Sequence, residues 1–350
     1  MKYTNLGNSD INVSRICLGS MTWGEQNSQT DAFEQMEYAL ERGVNFWDTA
    51  EMYPAPANEK TAGESERCIG NWFARSGRRD EVVIATKVTG RSNRSWIRAG
   101  QETRLSRDQI NEAVDGSLQR LKTDYIDLYQ VHWPDRPLGL WGEGGGSYVH
   151  KDNADEIAIS ETLGAMSDLI TAGKIRTIGV SNETPWGLSQ YLFSAETRGL
   201  PRVVSCQNSY SLLNRVFEGG LSEFSYRENI GLLPYSPLGM GSLSGKYLNG
   251  EKPEQSRMKK FPEFMQRYQA PLAERAIEMY CSLAREFSLT PTRLALGFVN
   301  SRPFVTSNIV GATTITQLAE NIDSINVEIT PELEDEINRI HLLCKNPAAA

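Results

Sequence analysis

The sequence predicts an α/β fold, a closed parallel β/α barrel occupying residues 1–350 as one domain. Three observations carry that expectation. Strand-like and helix-like segments alternate along the chain, the order that builds a parallel sheet flanked by helices. Strand candidates number eight, at 15–19, 44–48, 82–87, 125–131, 175–180, 203–207, 230–235 and 306–310, and that number suits a closed barrel rather than an open sheet. Finally, Asp48, Tyr53, Lys87 and His132 each stand at, or just past, the end of a different apolar run. In a barrel the strand C-termini share one face, so these four groups are expected to converge.

The elements follow in order. Turn signals at Gly7-Asn8 and Asp10 predict a hairpin across the barrel bottom. Residues 107–121 put Ile110, Val114, Leu118 and Leu121 on one helical stripe, with Ser106 and Gln109 spaced as a capping box. Residues 156–172 repeat the pattern with Ile159, Leu163, Met166 and Ile170. Gly43, Gly173 and Gly199 sit where helices must reverse into strands. Thr184-Pro185, Thr290-Pro291 and Thr330-Pro331 read as a cap followed by a first-turn proline. Extra helices near 272–288 and 332–344 are expected outside the barrel. Segments 134–155 and 239–271 break the rhythm, and both should overhang the active face because they leave strand C-termini. Within the first, the glycine-rich insertion at 139–149 is expected over the substrate.

Composition narrows the class. With 39% hydrophobic and 23% charged residues the chain looks like an ordinary globular protein. A net charge of −8 excludes a general nucleic-acid binder. No apolar run is long enough to span a bilayer, so no membrane partner is expected. The opening MKYTNLGNSD lacks the apolar core of a secretory signal, which predicts a cytoplasmic protein. Five scattered cysteines and three separated histidines suit reduced thiols and no metal site. Oligomeric state is left open.

The tetrad has a chemical logic. Carbonyl reduction needs a hydride at carbon and a proton at oxygen. A phenol, with pKa about 10, is a weak acid, and a neighbouring ammonium makes its anion easier to form. Lys87 beside Tyr53 is expected to lower the phenol in this way, with Asp48 holding Lys87 through a charge-assisted pair. His132 would orient the substrate oxygen.

Seven motifs extend the reading: Leu18–Gly24 (LGSMTWG), Phe46–Tyr53 (FWDTAEMY), Ala85–Lys87 (ATK), Asp127–His132 (DLYQVH), Gly179–Asn182 (GVSN), Tyr235–Gly241 (YSPLGMG) and Gly311–Asn321 (GATTITQLAEN). Together they resemble the aldo-keto reductases over about residues 3–342, and the combination of Gln130–Pro134 (QVHWP), a glycine-rich insertion and Ser181–Thr184 (SNET) resembles the bacterial Tas-like branch, related to the reductase-like β-subunits of potassium channels. The resemblance implies a (β/α)8 TIM barrel that uses NADPH, with Tyr53, Asp48, Lys87 and His132 as catalytic tetrad and a small carbonyl compound as partner. It also implies the cofactor contacts. Ser20, Met21 and Asp48 would contact the cofactor, Ser181, Asn182 and Gln207 would hold the nicotinamide carboxamide, and Tyr235 would lie under the ring. Ser236, Leu238 and Gly241 would follow the pyrophosphate, with Lys246 near it and Arg257 on the 2′-phosphate. Gly311, Thr313, Gln317, Glu320 and Asn321 would meet the adenosine end, at a helix start that favours phosphate. Trp23, Tyr53, His132 and Trp133 are the expected substrate walls, with Met21 and Trp141 as further candidates. A second function class stays open: a cofactor-binding sensor or auxiliary subunit whose turnover is incidental.

Overall fold

The computed structural model describes residues 1–140, 150–151 and 155–349. An antiparallel hairpin, β1 (Tyr3–Asn5) and β2 (Asn12–Ser14), opens the chain. Its Leu6, Ile11 and Val13 are buried against Cys17, Phe46, Ala85, Leu128, Val204, Leu233 and Ile309, the inward side chains of the strands. The hairpin therefore plugs the bottom, as predicted. Gly7 makes the fit: its φ is +54°, and a Cβ there would stand 2.3 Å from the Val204 carbonyl oxygen.

Above it, β3 (Ile16–Gly19), β4 (Phe46–Asp48), β5 (Val83–Val88), β6 (Ile126–Val131), β7 (Ile175–Ser181), β8 (Val203–Gln207) and β9 (Gly231–Leu232) run parallel in chain order, and β10 (Asn308–Val310) returns beside β3. Single hydrogen bonds close the ring between β9 and β10: Thr306 N–H to Leu232 O at 2.9 Å and Ile309 N–H to Pro234 O at 3.1 Å. The seventh barrel strand is shorter than the 230–235 predicted, since Pro234 has no N–H to give a ladder.

Helices α1 (Gln29–Glu41), α2 (Glu64–Ser76), α3 (Arg107–Leu121), α4 (Ile159–Thr171), α5 (Pro185–Arg198) and α6 (Leu221–Glu228) follow successive strands. The long connection after β9 holds α7 (Arg257–Lys260), α8 (Pro271–Glu286) and α9 (Pro291–Asn300), and α10 (Ile315–Asp323) and α11 (Pro331–Leu343) finish the chain. The extra helices α8 and α11 pack on each other. Thr184, Thr290 and Thr330 cap their helices ahead of a first-turn proline. The box at Ser106 is only half built: Ser106 accepts from the Gln109 N–H, but the Gln109 side chain turns to Arg104 and Glu102. A complete box stands instead at Ser28 and Asp31. Among the described residues no helix is long and apolar enough to cross a membrane.

Candidate active site

The site is built on a buried polar floor. Asp48 ends β4, and Lys87 lies near the end of β5 in register with Gln130 of β6. The Lys87 ammonium donates to Asp48 Oδ1 and to the Thr49 carbonyl, both at 2.6 Å. Gln207 Nε2 (2.8 Å) and Gln130 Nε2 (3.2 Å) donate to Asp48 Oδ2. A buried ion pair persists only where its remaining lone pairs and protons are met, and these are. Burial alone would lower the Lys87 pKa; the Asp48 carboxylate and the Tyr53 phenol outweigh it and hold the ammonium above its usual value.

Tyr53 stands above this floor. Its ring centroid is 4.8 Å from Lys87 Nζ, and the His132 ring meets it edge-on at 5.7 Å. Asp48 ends β4 and Tyr53 follows the same strand, so the tetrad rises from three strands, not the four expected. The expected lowering of the phenol is also corrected. Burial raises it most, Lys87 pulls it back, and the balance lies above the ordinary value. Tyr53 thus holds its proton firmly at neutral pH, while Lys87 reduces the cost of the phenolate once the proton leaves.

Two anchors fix the loop that carries Tyr53. Glu51 accepts both Arg98 guanidinium nitrogens (2.9 and 2.8 Å) and the Thr89 N–H (2.6 Å), tying the loop to the chain beyond β5. His132, just past β6, donates its backbone N–H to Val88 O at 2.9 Å. Burial, then Lys87 and Arg94, push its imidazole well below the usual histidine value, so the ring is neutral. Among the described residues its Nδ1 is buried without a hydrogen-bond partner.

Around the mouth the other predicted residues line one cleft of about 680 Å³. Ser20, Met21, Tyr53, His132 and Trp133 border it with Ser181, Asn182, Gln207 and Tyr235. Asn182 adopts φ 53°, gives its amide to the His132 carbonyl (2.9 Å) and accepts the Tyr235 hydroxyl (2.7 Å). Gln207, which donates Nε2 to Asp48, also lines the cleft. Across the mouth, beyond β9 and β10, lie Ser236, Leu238, Gly241, Lys246, Arg257, Gly311, Thr313, Gln317, Glu320 and Asn321.

That far side fits the phosphates of a dinucleotide. Ser236 has φ 55°, and the consecutive Gly239, Met240 and Gly241 have φ of 54°, 55° and 96°, left-handed backbone of the kind that gathers N–H groups. A Cβ on Gly241 would lie 3.0 Å from Lys246 Nζ, so glycine lets the ammonium close over the turn. Neither Lys246 nor Arg257 pairs with a carboxylate among the described residues; Arg257 Nε reaches Gln26 Oε1 at 3.3 Å. The α10 start presents Thr313 and Gln317, already bonded to each other at 3.1 Å.

Trp23 is a correction. It is fully buried between strand and helix layers, and its indole donates to Gln35 of α1 at 3.1 Å. The chain turns back at once after β3, Trp23 N–H meeting Ser20 O at 3.0 Å, and this aims the ring away from the cleft. Trp133 does line the cleft, pinned by its indole N–H on Arg91 O at 2.9 Å. Trp141 and nearly all of the 139–149 insertion lie outside the described residues. Sequence reasoning missed Gln130, Glu51, Arg98 and Arg94. Only Gln130 carried a signal, a polar inward position within the motif that ends in His132.

Comparison with known proteins agrees with this geometry. Residues 15–341 match the Aldo/keto reductase family. The chain belongs to that family. It is 46% identical over 350 residues to Protein tas of Escherichia coli strain K12, covering 99% of this chain and 100% of that protein. An uncharacterized oxidoreductase of Bacillus subtilis, YrpG, is 33% identical over 341 residues (97% of this chain, 96% of YrpG). A probable voltage-gated potassium channel subunit beta of rice is 29% identical over 347 residues (97% and 96%). The aldo-keto reductase chain thus lies in the Tas-like branch and is an oxidoreductase, of a family that generally uses nicotinamide cofactors.

Proposed function

We propose that the protein reduces aldehydes or ketones to alcohols with NADPH, Tyr53 giving the proton to the carbonyl oxygen. NADPH, when bound, supplies the hydride that the carbonyl carbon takes. What supports the reading most is the convergence of Tyr53, Lys87 and His132 at one side of a cleft whose other side is a phosphate-suited turn. The neutral His132 donates to the substrate oxygen and steers it to Tyr53. As negative charge gathers on that oxygen the phenol proton moves to it, and the Lys87 ammonium compensates the phenolate. Asp48 keeps Lys87 charged and fixed.

Ser181, Asn182 and Gln207 would hold the carboxamide, Tyr235 would face the nicotinamide, Lys246 the pyrophosphate and Arg257 the 2′-phosphate. Small carbonyl compounds in a reducing cytosol are the partners this reading requires, in keeping with five buried free thiols. Nucleic acid and membrane have no part in it.

The test is a panel of carbonyl compounds followed by NADPH absorbance. Tyr53→Phe should lower kcat by about 10²–10⁴-fold, the scale of general acid catalysis, with NADPH affinity nearly unchanged. Near-normal turnover by Tyr53→Phe would remove Tyr53 from the mechanism. NADPH binding with no turnover on any carbonyl would favour the sensor or auxiliary reading, to which the rice channel-subunit relative points.

A further inference from the structure

The loop after β5 carries Arg91, Arg94, Arg98 and Arg104 within a short span. Three of them are committed. Arg91 pairs with Glu102 and Asp155, Arg98 with Glu51, and Arg104 with Asp135 and Asp155. Arg94 pairs with no carboxylate among the described residues. Its guanidinium lies 5.9 Å from the Trp133 ring centroid and lines the cleft on the side of Tyr53 and His132. Its backbone is held locally. The Arg94 carbonyl receives the Ile97 N–H at 3.0 Å, and its own N–H meets Ser92 Oγ at 3.4 Å. The same strip is brought close to Trp133 by Gly90, where a Cβ would stand 2.0 Å from the Trp133 carbonyl oxygen.

The surrounding wall is apolar. Ala50, Met52 and Trp133 form a small cluster joined by Tyr53, Ile97 and Leu140. A ligand reaching Tyr53 and His132 therefore meets an apolar surface with the Arg94 guanidinium at its edge, while Arg257 and Arg267 also line the cleft. A partly desolvated arginine with no carboxylate partner among the described residues, beside a neutral histidine, is set to bind a carboxylate or phosphate bidentately.

We propose that Arg94 selects the substrate, and that the preferred carbonyl compounds carry an anionic group, carboxylate or phosphate, on an apolar body. This rests on the carbonyl-reductase reading and assigns its substrate class. Reduction itself is unchanged: hydride to carbon, proton to oxygen, while the anion stays intact on Arg94.

The experiment compares matched pairs: 4-carboxybenzaldehyde with methyl 4-formylbenzoate, and succinic semialdehyde with its methyl ester. Glyceraldehyde 3-phosphate against glyceraldehyde tells phosphate from carboxylate. The charged member should show kcat/KM higher by about 10- to 100-fold, the span of one charge-assisted hydrogen-bonded contact, mainly through KM. Arg94→Ala should collapse the acid-to-ester ratio towards one, and Arg94→Lys should retain part of it. Added salt should raise KM for the acid and leave the ester alone. Calorimetry of 4-methoxybenzoate against cofactor-loaded protein supplies a readout without turnover: binding to the natural chain, lost in Arg94→Ala. Equal use of acid and ester, or a ratio unmoved by Arg94→Ala, would overturn the proposal and leave the reductase intact. Arg94-dependent carboxylate binding with no carbonyl turnover would uphold Arg94 as the anion site and sink the reductase reading instead.

Discussion

The floor of the cleft and its rim are built on opposite rules. On the floor, Asp48 takes N–H donors from Lys87, Gln130 and Gln207, and Lys87 spends its protons on Asp48 and Thr49. On the rim, among the described residues, His132 Nδ1 and Arg267 Nη1 are buried without hydrogen bonds, and Arg94 and Lys246 have no carboxylate partner. A buried group with its partners met is costly to disturb, because removal strands the partner. A group whose partner is a ligand adds little to the fold. The floor is therefore where stability and catalysis coincide, and the rim is where binding resides.

Lys87→Met should show the largest effect. It strands the Asp48 carboxylate inside the barrel, a loss of about 3–5 kcal/mol by the usual cost of breaking a buried pair. Turnover should vanish with it. Asp48→Asn on top of Lys87→Met should recover much of the stability and none of the turnover, measured by denaturant titration and NADPH oxidation. A Lys87→Met protein as stable as its parent would erase the distinction between floor and rim.

The contrast also explains what the sequence could and could not reveal. Asp48, Lys87 and His132 were legible because each closes an apolar run, an arrangement a barrel converts into convergence. Gln130 was hidden because an amide inside a strand reads as alternation until register sets it beside Lys87. Glu51 and Arg98 are 47 positions apart, so nothing local joins them. Trp23 was misplaced because the direction of the turn after Gly19 cannot be read from composition. The barrel was readable almost throughout; β9 was overextended because the run at 230–235 hides Pro234. Ser106 and Gln109 have the spacing of a box, yet Gln109 is taken by Arg104.

A middle-sized effect belongs to His132. Its folded-state pKa is pushed well below 6.5 by burial, Lys87 and Arg94. As pH falls below 6.5, the unfolded chain binds a proton that the folded chain refuses, so stability falls. The slope approaches about 1.4 kcal/mol per pH unit until the depressed value is reached. His341 is also held low and adds a similar trend, so the informative quantity is the difference between the natural chain and His132→Asn. That difference should narrow as pH drops from neutral, at the expense of the natural chain. Parallel pH curves would mean that His132 titrates normally in the fold and is not the neutral donor required here.

The smallest effect on the fold should come from Arg257→Ala. Arg257 touches Gln26 through one long hydrogen bond, pairs with no carboxylate among the described residues and is held low by burial, so its loss should not destabilise the fold. Cofactor binding should respond instead. If the guanidinium reads the 2′-phosphate, NADPH should weaken by about 10-fold or more while NADH stays near its original affinity. Salt should narrow the gap between the two cofactors in the natural chain and have less to narrow in the variant. Equal losses for NADPH and NADH would move Arg257 to the pyrophosphate they share. A large loss of stability with no change in either cofactor would place Arg257 with the floor, and the division between the two regions would have to be redrawn at that residue.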